Sequence, residues 1–149
     1  MSYTQIYYHI VFSTKDRAPV LAPGVRKEVF GYLWGILKGK KCHLYRMGGV
    51  EDHIHIMTHL HPTVALAVLI RDLKTSSTAW IKEHQMVPQF PGWQAEYAAF
   101  TKSHTNRLAV IEYIKGQEEH HRTVSFMDEL KALLHEEGIS FEERYLGWA

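Results

Sequence analysis

A chain of 149 residues is sized for one domain, able to bury about 68–70% of the surface that its unfolded form exposes. With 46% hydrophobic and 22% charged residues it reads as globular; no apolar run nears the ~18 residues of a bilayer span, Met1 to Gln5 carry no secretion-signal pattern, and lone Cys42 allows no internal disulfide. A cytoplasmic protein is therefore expected, and a net charge of +1 excludes the broad basic excess of many nucleic-acid binders, leaving only local patches such as Lys38, Lys40, Lys41, His43 and Arg46.

In chain order, Tyr3 to Ser13 reads as a strand with Ile6, Tyr8, Ile10 and Phe12 on one face and Tyr7, His9, Val11 and Ser13 on the other. After a polar loop with two prolines, Val25, Val29, Leu33, Ile36 and Leu37 mark a helix from about Gly24 to Lys38, stopped near Gly39. A second strand is expected over Lys41 to Met47, with Gly48 and Gly49 turning the chain into a third. A long helix from Pro62 to about Gln85 follows, then a strand from Ala95 to Lys102. Asn106 begins a helix running to about His121, and Ser125 caps a last one that Gly138 ends. The aromatic tail from Phe141 to Ala149 is expected to dock. The order β-α-β-β-α-β-α-α implies a single α+β domain over residues 1–149, a ferredoxin-like (RRM-like) antiparallel sheet with packed helices.

The third strand is the chemically informative stretch. In Gly48-Gly49-Val50-Glu51-Asp52-His53-Ile54-His55-Ile56-Met57, period-two alternation puts His53 and His55 on one face and the isoleucines on the other. The two imidazoles, roughly 6 to 7 Å apart at Cβ, can reach one cation but cannot enclose it. In the penultimate helix Tyr113 and Gln117 share a face, one turn apart. Laid over the histidines, that helix would supply an amide oxygen as third ligand and a phenol aimed at whatever the metal binds. A phenol with a pKa near 10 is a weak nucleophile unless a cation polarises the phosphoryl group that it attacks.

Taken together, the segments Tyr8-His9-Ile10-Val11-Phe12-Ser13-Thr14-Lys15, Gly49 to Ile56, Lys74-Thr75-Ser76-Ser77 and Tyr113-Ile114-Lys115-Gly116-Gln117 resemble the single-tyrosine HUH transposases of insertion sequences, the IS-two-hundred type, and their REP-associated relatives. The resemblance spans nearly the whole chain. It implies a metal-dependent endonuclease and strand transferase for single-stranded or hairpin DNA. Tyr113 would take the 5′ phosphate as a phosphotyrosine, and His53, His55 and Gln117 would hold Mg²⁺ or Mn²⁺. It also implies a homodimer and no nucleotide cofactor, since the phosphotyrosine conserves the energy of the cut bond. Candidate DNA contacts are Lys15, Arg17, Lys40, Lys41, Arg46, Arg71 and Lys74.

Two alternatives stay open. One is a domesticated relative that binds DNA hairpins without cutting them. The other is a zinc hydrolase using His53, His55 and a further histidine from among His59, His61, His120 and His121, with no need of Tyr113. His9 is expected to be a hydrogen-bonded sheet histidine, and Trp80, Trp93 and Trp148 to serve mostly in packing.

Overall fold

The computed structural model describes residues 2–143 and residue 146. The chain runs β1 (Tyr7–Ser13), α1 (Pro23–Gly39), β2 (Leu44–Gly49), β3 (His53–His59), α2 (Leu66–Glu83), β4 (Ala98–Lys102), α3 (Arg107–Lys115), α4 (Gln117–His120) and α5 (Phe126–Glu136). Short 3-10 turns precede α1 and α3, at Lys15–Arg17 and His104–Asn106. The strands make one antiparallel sheet in the order β2-β3-β1-β4, so the fold is α+β and ferredoxin-like, as expected.

Alternation along β1 and β3 decides what covers each face. Ile10 lies opposite Ile56 and Phe12 opposite Ile54. These side chains pack against Val29, Leu33 and Leu37 of α1 and Leu69, Ile70, Leu73 and Ile81 of α2, forming the main apolar core. Pro23 begins α1 at a position where the missing N–H costs no helical bond. On the other face Val11 lies opposite His55 and Ser13 opposite His53. There Val11, Ala98 and Phe100 meet Phe126, Leu130, Leu133 and Leu134 of the α5 layer, while Tyr7 and Met57 meet Val110 and Ile114 of α3. The sheet is thus a middle layer, with α1 and α2 on its apolar face and α3 to α5 on its histidine face.

Several expected boundaries change: the first strand starts at Tyr7 rather than Tyr3 and the last at Ala98 rather than Ala95. The helix expected to reach His121 breaks at Gly116 (φ −87°, ψ 13°), whose N–H is shared between the carbonyls of Glu112 (3.1 Å) and Tyr113 (3.2 Å). Tyr113 and Gln117 therefore sit on successive short helices rather than one. The second strand starts at Leu44, after Lys41 adopts a left-handed φ of 61°, and it contains both glycines. Gly48 is there for closeness: a Cβ at that position would lie 2.5 Å from the Ile114 carbonyl oxygen, so α3 rests on bare strand backbone. The long helix begins only at Leu66, because His61 and Thr63 close a turn through their side chains (2.7 Å) and the Val64 N–H donates to the His61 carbonyl (2.9 Å). Ser125 caps α5 as expected, accepting from the Asp128 N–H at 3.2 Å. In the tail, Leu146 packs on the Val11 cluster; the docking expected of residues 144, 145 and 147–149, Trp148 included, lies outside the described residues.

Candidate metal centre and tyrosine

His53 and His55 project from β3 into the layer between the sheet and α3 to α5, both fully buried. Each imidazole is fixed from behind. His53 Nδ1 lies 2.7 Å from Asp52 Oδ1, and His55 Nδ1 lies 2.8 Å from His9 Nε2 on the neighbouring strand. A third imidazole arrives from just beyond α4: His121 Nδ1 donates to the Val124 carbonyl at 2.6 Å. The three Nε2 atoms point inward, and all approach Glu129 Oε1 of α5, at 3.2 Å (His53), 2.9 Å (His55) and 3.2 Å (His121). Gln117 Oε1 lies 3.2 Å from His53 Nε2 and 3.0 Å from His121 Nε2. The other Glu129 oxygen, Oε2, accepts from Gln117 Nε2 at 2.9 Å and from the Tyr113 hydroxyl, with His120 Nε2 at 3.3 Å.

A lone buried carboxylate would cost several kcal/mol, so Glu129, 2% exposed, is tolerable only because of these partners. Burial alone would push its carboxyl up; hydrogen bonds to His121, His53 and His55 outweigh that and hold it well below the usual carboxylate range. Burial likewise opposes a charge on His53, but Asp52 and Glu129 prevail and raise it to about 9. His55 goes the other way, lowered by burial to about 4 although Glu129 opposes this. His9 is lowered by burial and by His55 to about 3. Tyr113 is raised by burial and by its bond to Glu129, so its phenol keeps its proton at neutral pH. Asp52 and Glu129 thus favour a positive charge at His53 against the cost of burying it, which is the electrostatic setting that a bound cation would also find.

These residues fit a divalent cation. Nitrogen or oxygen donors of His53, His55, His121 and Glu129 all lie within 4.8 Å of one another. Each Nδ1 is held by a carboxylate, an imidazole or a carbonyl, the outer support that ligating histidines need to aim Nε2 at a metal.

The transposase IS200-like family model matches residues 2–117, more than half of the chain. The chain belongs to the IS200-like transposase family. ISDra2 transposase TnpA of Deinococcus radiodurans is 25% identical over 118 residues, covering 76% of this chain and 84% of that protein. Two solved structures share the fold. One is a crystal structure from Deinococcus radiodurans R1 described as a transposase, with TM-score 0.62 and 22% identity over 78% of this chain and 93% of that one. The other is a REP-associated tyrosine transposase bound to a REP hairpin, with TM-score 0.64 and 12% identity over 83% of this chain and 73% of that one.

Of the residues singled out in the transposase sequence, Tyr113, His53, His55 and Gln117 come together within one chain, and of the further histidines His120 and His121 join them at Glu129 while His59 and His61 bond elsewhere, to the Ile6 N–H and to Thr63. The cationic residues do not come together. Lys15 is exposed and Arg17 half-buried just past β1, while Arg46 is exposed on the edge strand β2 and Lys41 exposed after α1. Lys40 and Arg71 both engage Asp72, at 2.6 and 3.2 Å, on the α1–α2 layer, holding its carboxyl below its ordinary value. The Lys74 ammonium, lowered by burial to about 8, donates to the carbonyls of Gln94 (2.6 Å), Ala95 (3.3 Å) and Glu96 (2.9 Å), which ties down the loop before β4. Trp80 stacks on Tyr32 at 4.7 Å, and Trp93 packs on Phe12 at 5.0 Å. Glu129 escaped the sequence reading altogether, since an acidic residue on an amphipathic helix ordinarily marks the wet side. Among the described residues no helix is long and apolar enough to cross a membrane.

Proposed function

We propose that this transposase cuts and rejoins single-stranded DNA at hairpins, using Tyr113 as nucleophile and a divalent cation, Mg²⁺ or Mn²⁺, held by His53, His55 and Gln117. The Tyr113 oxygen attacks the scissile phosphorus and gives up its proton to solvent, the bond to the 3′ oxygen breaks, and the 5′ phosphate stays on the tyrosine while the departing 3′ oxygen takes up a proton from solvent to become the 3′ hydroxyl, so the proton count is unchanged. When bound, the cation polarises the phosphoryl oxygen and offsets the charge that builds there. Glu129 Oε2 accepts the phenolic hydrogen bond, which fixes the direction in which the Tyr113 oxygen faces. Reversing the attack with a different 3′ hydroxyl joins strands without a nucleotide cofactor. The work is cytoplasmic, and a homodimer formed through the sheet edges supplies the two tyrosines that two cuts need.

The observation that carries this reading is the meeting of a phenol, a carboxamide and two strand-borne imidazoles over one carboxylate. The family neighbour bound to a REP hairpin supports the choice of substrate. The test is to incubate labelled hairpin DNA with the protein and Mn²⁺ and to look for a denaturation-resistant adduct. An adduct lost in Tyr113→Phe, with DNA binding retained, supports the reading. Binding without an adduct under any metal indicates a hairpin-binding module, and cleavage that survives Tyr113→Phe indicates a metallohydrolase.

A further inference from the structure

We infer that His121 and Glu129 are ligands of the same cation as His53 and His55, and that Glu129 uses its two oxygens separately, Oε1 for the ion and Oε2 for the nucleophile. The inference rests on the proposed function for the presence of a cation. It concerns residues beyond position 117, where the family match ends.

Three observations carry it. First, His121 has the same two-ended arrangement as the strand histidines: Nδ1 is committed to a carbonyl at 2.6 Å and Nε2 is turned to the common centre. A histidine buried only for packing has no reason to share that convergence. Second, Glu129 is an almost wholly buried carboxylate whose Oε1 faces three imidazole nitrogens at 2.9 to 3.2 Å, while Oε2 faces Tyr113 and Gln117. One side of the carboxylate belongs to the histidines and the other to the nucleophile. Third, sequence-local devices deliver both residues. His121 follows Gln117 by four positions, one helical turn on, and Ser125 caps α5 so that Glu129 falls in its first turn.

The consequence is a change in donor chemistry. Two imidazoles and an amide oxygen make a weak site. Three imidazoles, a carboxylate and that amide would give five donors, a set that would hold a divalent cation more firmly. Such a nitrogen-rich set favours Mn²⁺ over Mg²⁺, which prefers oxygen ligands and retains its water. The phenol is then spaced from the ion by a single carboxylate, so loss of Glu129 disturbs both metal and nucleophile. Loss of Tyr113 disturbs only the nucleophile.

The experiment uses Mn²⁺ alone as the probe, with full-length protein and no DNA. Calorimetric titration of the wild type, Glu129→Gln, Glu129→Asp, His121→Gln, His53→Ala and Tyr113→Phe gives the affinities. Electron spin-echo modulation of bound Mn²⁺ counts its imidazole nitrogens. We expect three coupled imidazoles in the wild type and two in His121→Gln. We also expect Mn²⁺ binding weakened at least about tenfold in Glu129→Gln and His121→Gln, partly restored in Glu129→Asp, and unchanged in Tyr113→Phe. Two imidazoles in the wild type, a count that needs no variant to fold, overturns the inference while leaving the proposed function standing. Wild-type affinity in both Glu129→Gln and His121→Gln does the same. A wild type that binds no Mn²⁺ overturns both.

Discussion

Ile54 and His55 are consecutive, equally buried, and on opposite faces of β3. The Ile54 side is filled by aliphatic and aromatic groups from α1, α2 and the sheet, and what holds it is the removal of apolar area from water, which any shape-matched hydrocarbon supplies. The His55 side is filled by imidazoles, an amide, a phenol and a carboxylate, where His53, His55, Gln117, Tyr113 and Glu129 are tolerable because a specific partner stands within hydrogen-bond reach of each. One sheet therefore separates a layer that holds the fold from a layer that does chemistry. A substitution should damage stability or activity according to the side on which it falls.

The largest expected effect is on the chemical side. Tyr113→Phe removes one oxygen and should lower covalent adduct formation by about 10⁴-fold or more, as loss of a nucleophile does. Its melting temperature should move by only a few degrees, since the ring stays packed on the histidine face. An adduct at near wild-type yield would mean that the phenol does not attack. The mirror experiment is Ile54→Ala, which opens a cavity between the sheet and its two covering helices. It should cost about 2–5 kcal/mol in urea unfolding and leave Mn²⁺ affinity at 25 °C nearly unchanged. If Ile54→Ala weakens the metal as much as it weakens the fold, the two layers are not separable and the comparison fails.

Titration sharpens the contrast, because the histidine layer buries groups shifted in opposite directions. His53 is raised to about 9, so the stability it gains from Asp52 and Glu129 is complete below about pH 6.5 and is lost as pH rises through 9. His55 and His9 are lowered to about 4 and about 3, so the fold loses stability as pH falls below 6.5 and those rings must be protonated. Thermal melts in a chelator should therefore peak between the two limbs. With Mn²⁺ present the alkaline limb should flatten, because the cation replaces the proton on His53. Mn²⁺ affinity should itself rise about tenfold per pH unit up to pH 9, where the competing proton is gone. A chelated protein equally stable at pH 6.5 and 9 would remove His53 as the charged member of the cluster.

How much of this was readable in advance follows the same division. The apolar face was legible because burial leaves a periodic trace: Ile10, Phe12, Ile54 and Ile56 alternate, and Val29, Leu33 and Leu37 recur at helical spacing. His53 and His55 were legible for the same reason, being polar where alternation demanded something buried. Tyr113 and Gln117 needed the family likeness, since a helix pair four residues apart is common. Glu129 left no trace of its own, and His121 was only one of four histidines offered as a further nitrogen ligand. Nothing local distinguishes a glutamate aimed at four histidines from one aimed at water, and only the path of the chain through Gly116 and the Ser125 cap brings it inside. The helix break was underread as well, because a helical glycine more often means a modest loss of propensity than a change of direction.

Gly48 offers the smallest and most diagnostic test, because it touches the junction of the two layers without belonging to either chemistry. It lies opposite His55 in the sheet, on the strand that α3 crosses, and its missing side chain lets the Ile114 carbonyl approach. In Gly48→Ala the new methyl would stand 2.5 Å from that oxygen and 2.9 Å from the Ile114 side chain, so the helix must move outward, as backbone cannot swing aside like the tip of a long side chain. Overpacking of this kind costs about 1–3 kcal/mol, a modest loss of stability. Tyr113 lies on the same helix one residue before Ile114, so a shift of a few tenths of an ångström or more carries the phenol with it, while His53, His55 and His121 keep their own supports. Adduct formation should then fall, by up to about 10²-fold where the shift reaches about 1 Å, with Mn²⁺ affinity within about threefold of the wild type. Should Gly48→Ala weaken the metal and the adduct in parallel, α3 would be part of the metal cradle, not only the arm that holds the nucleophile above it.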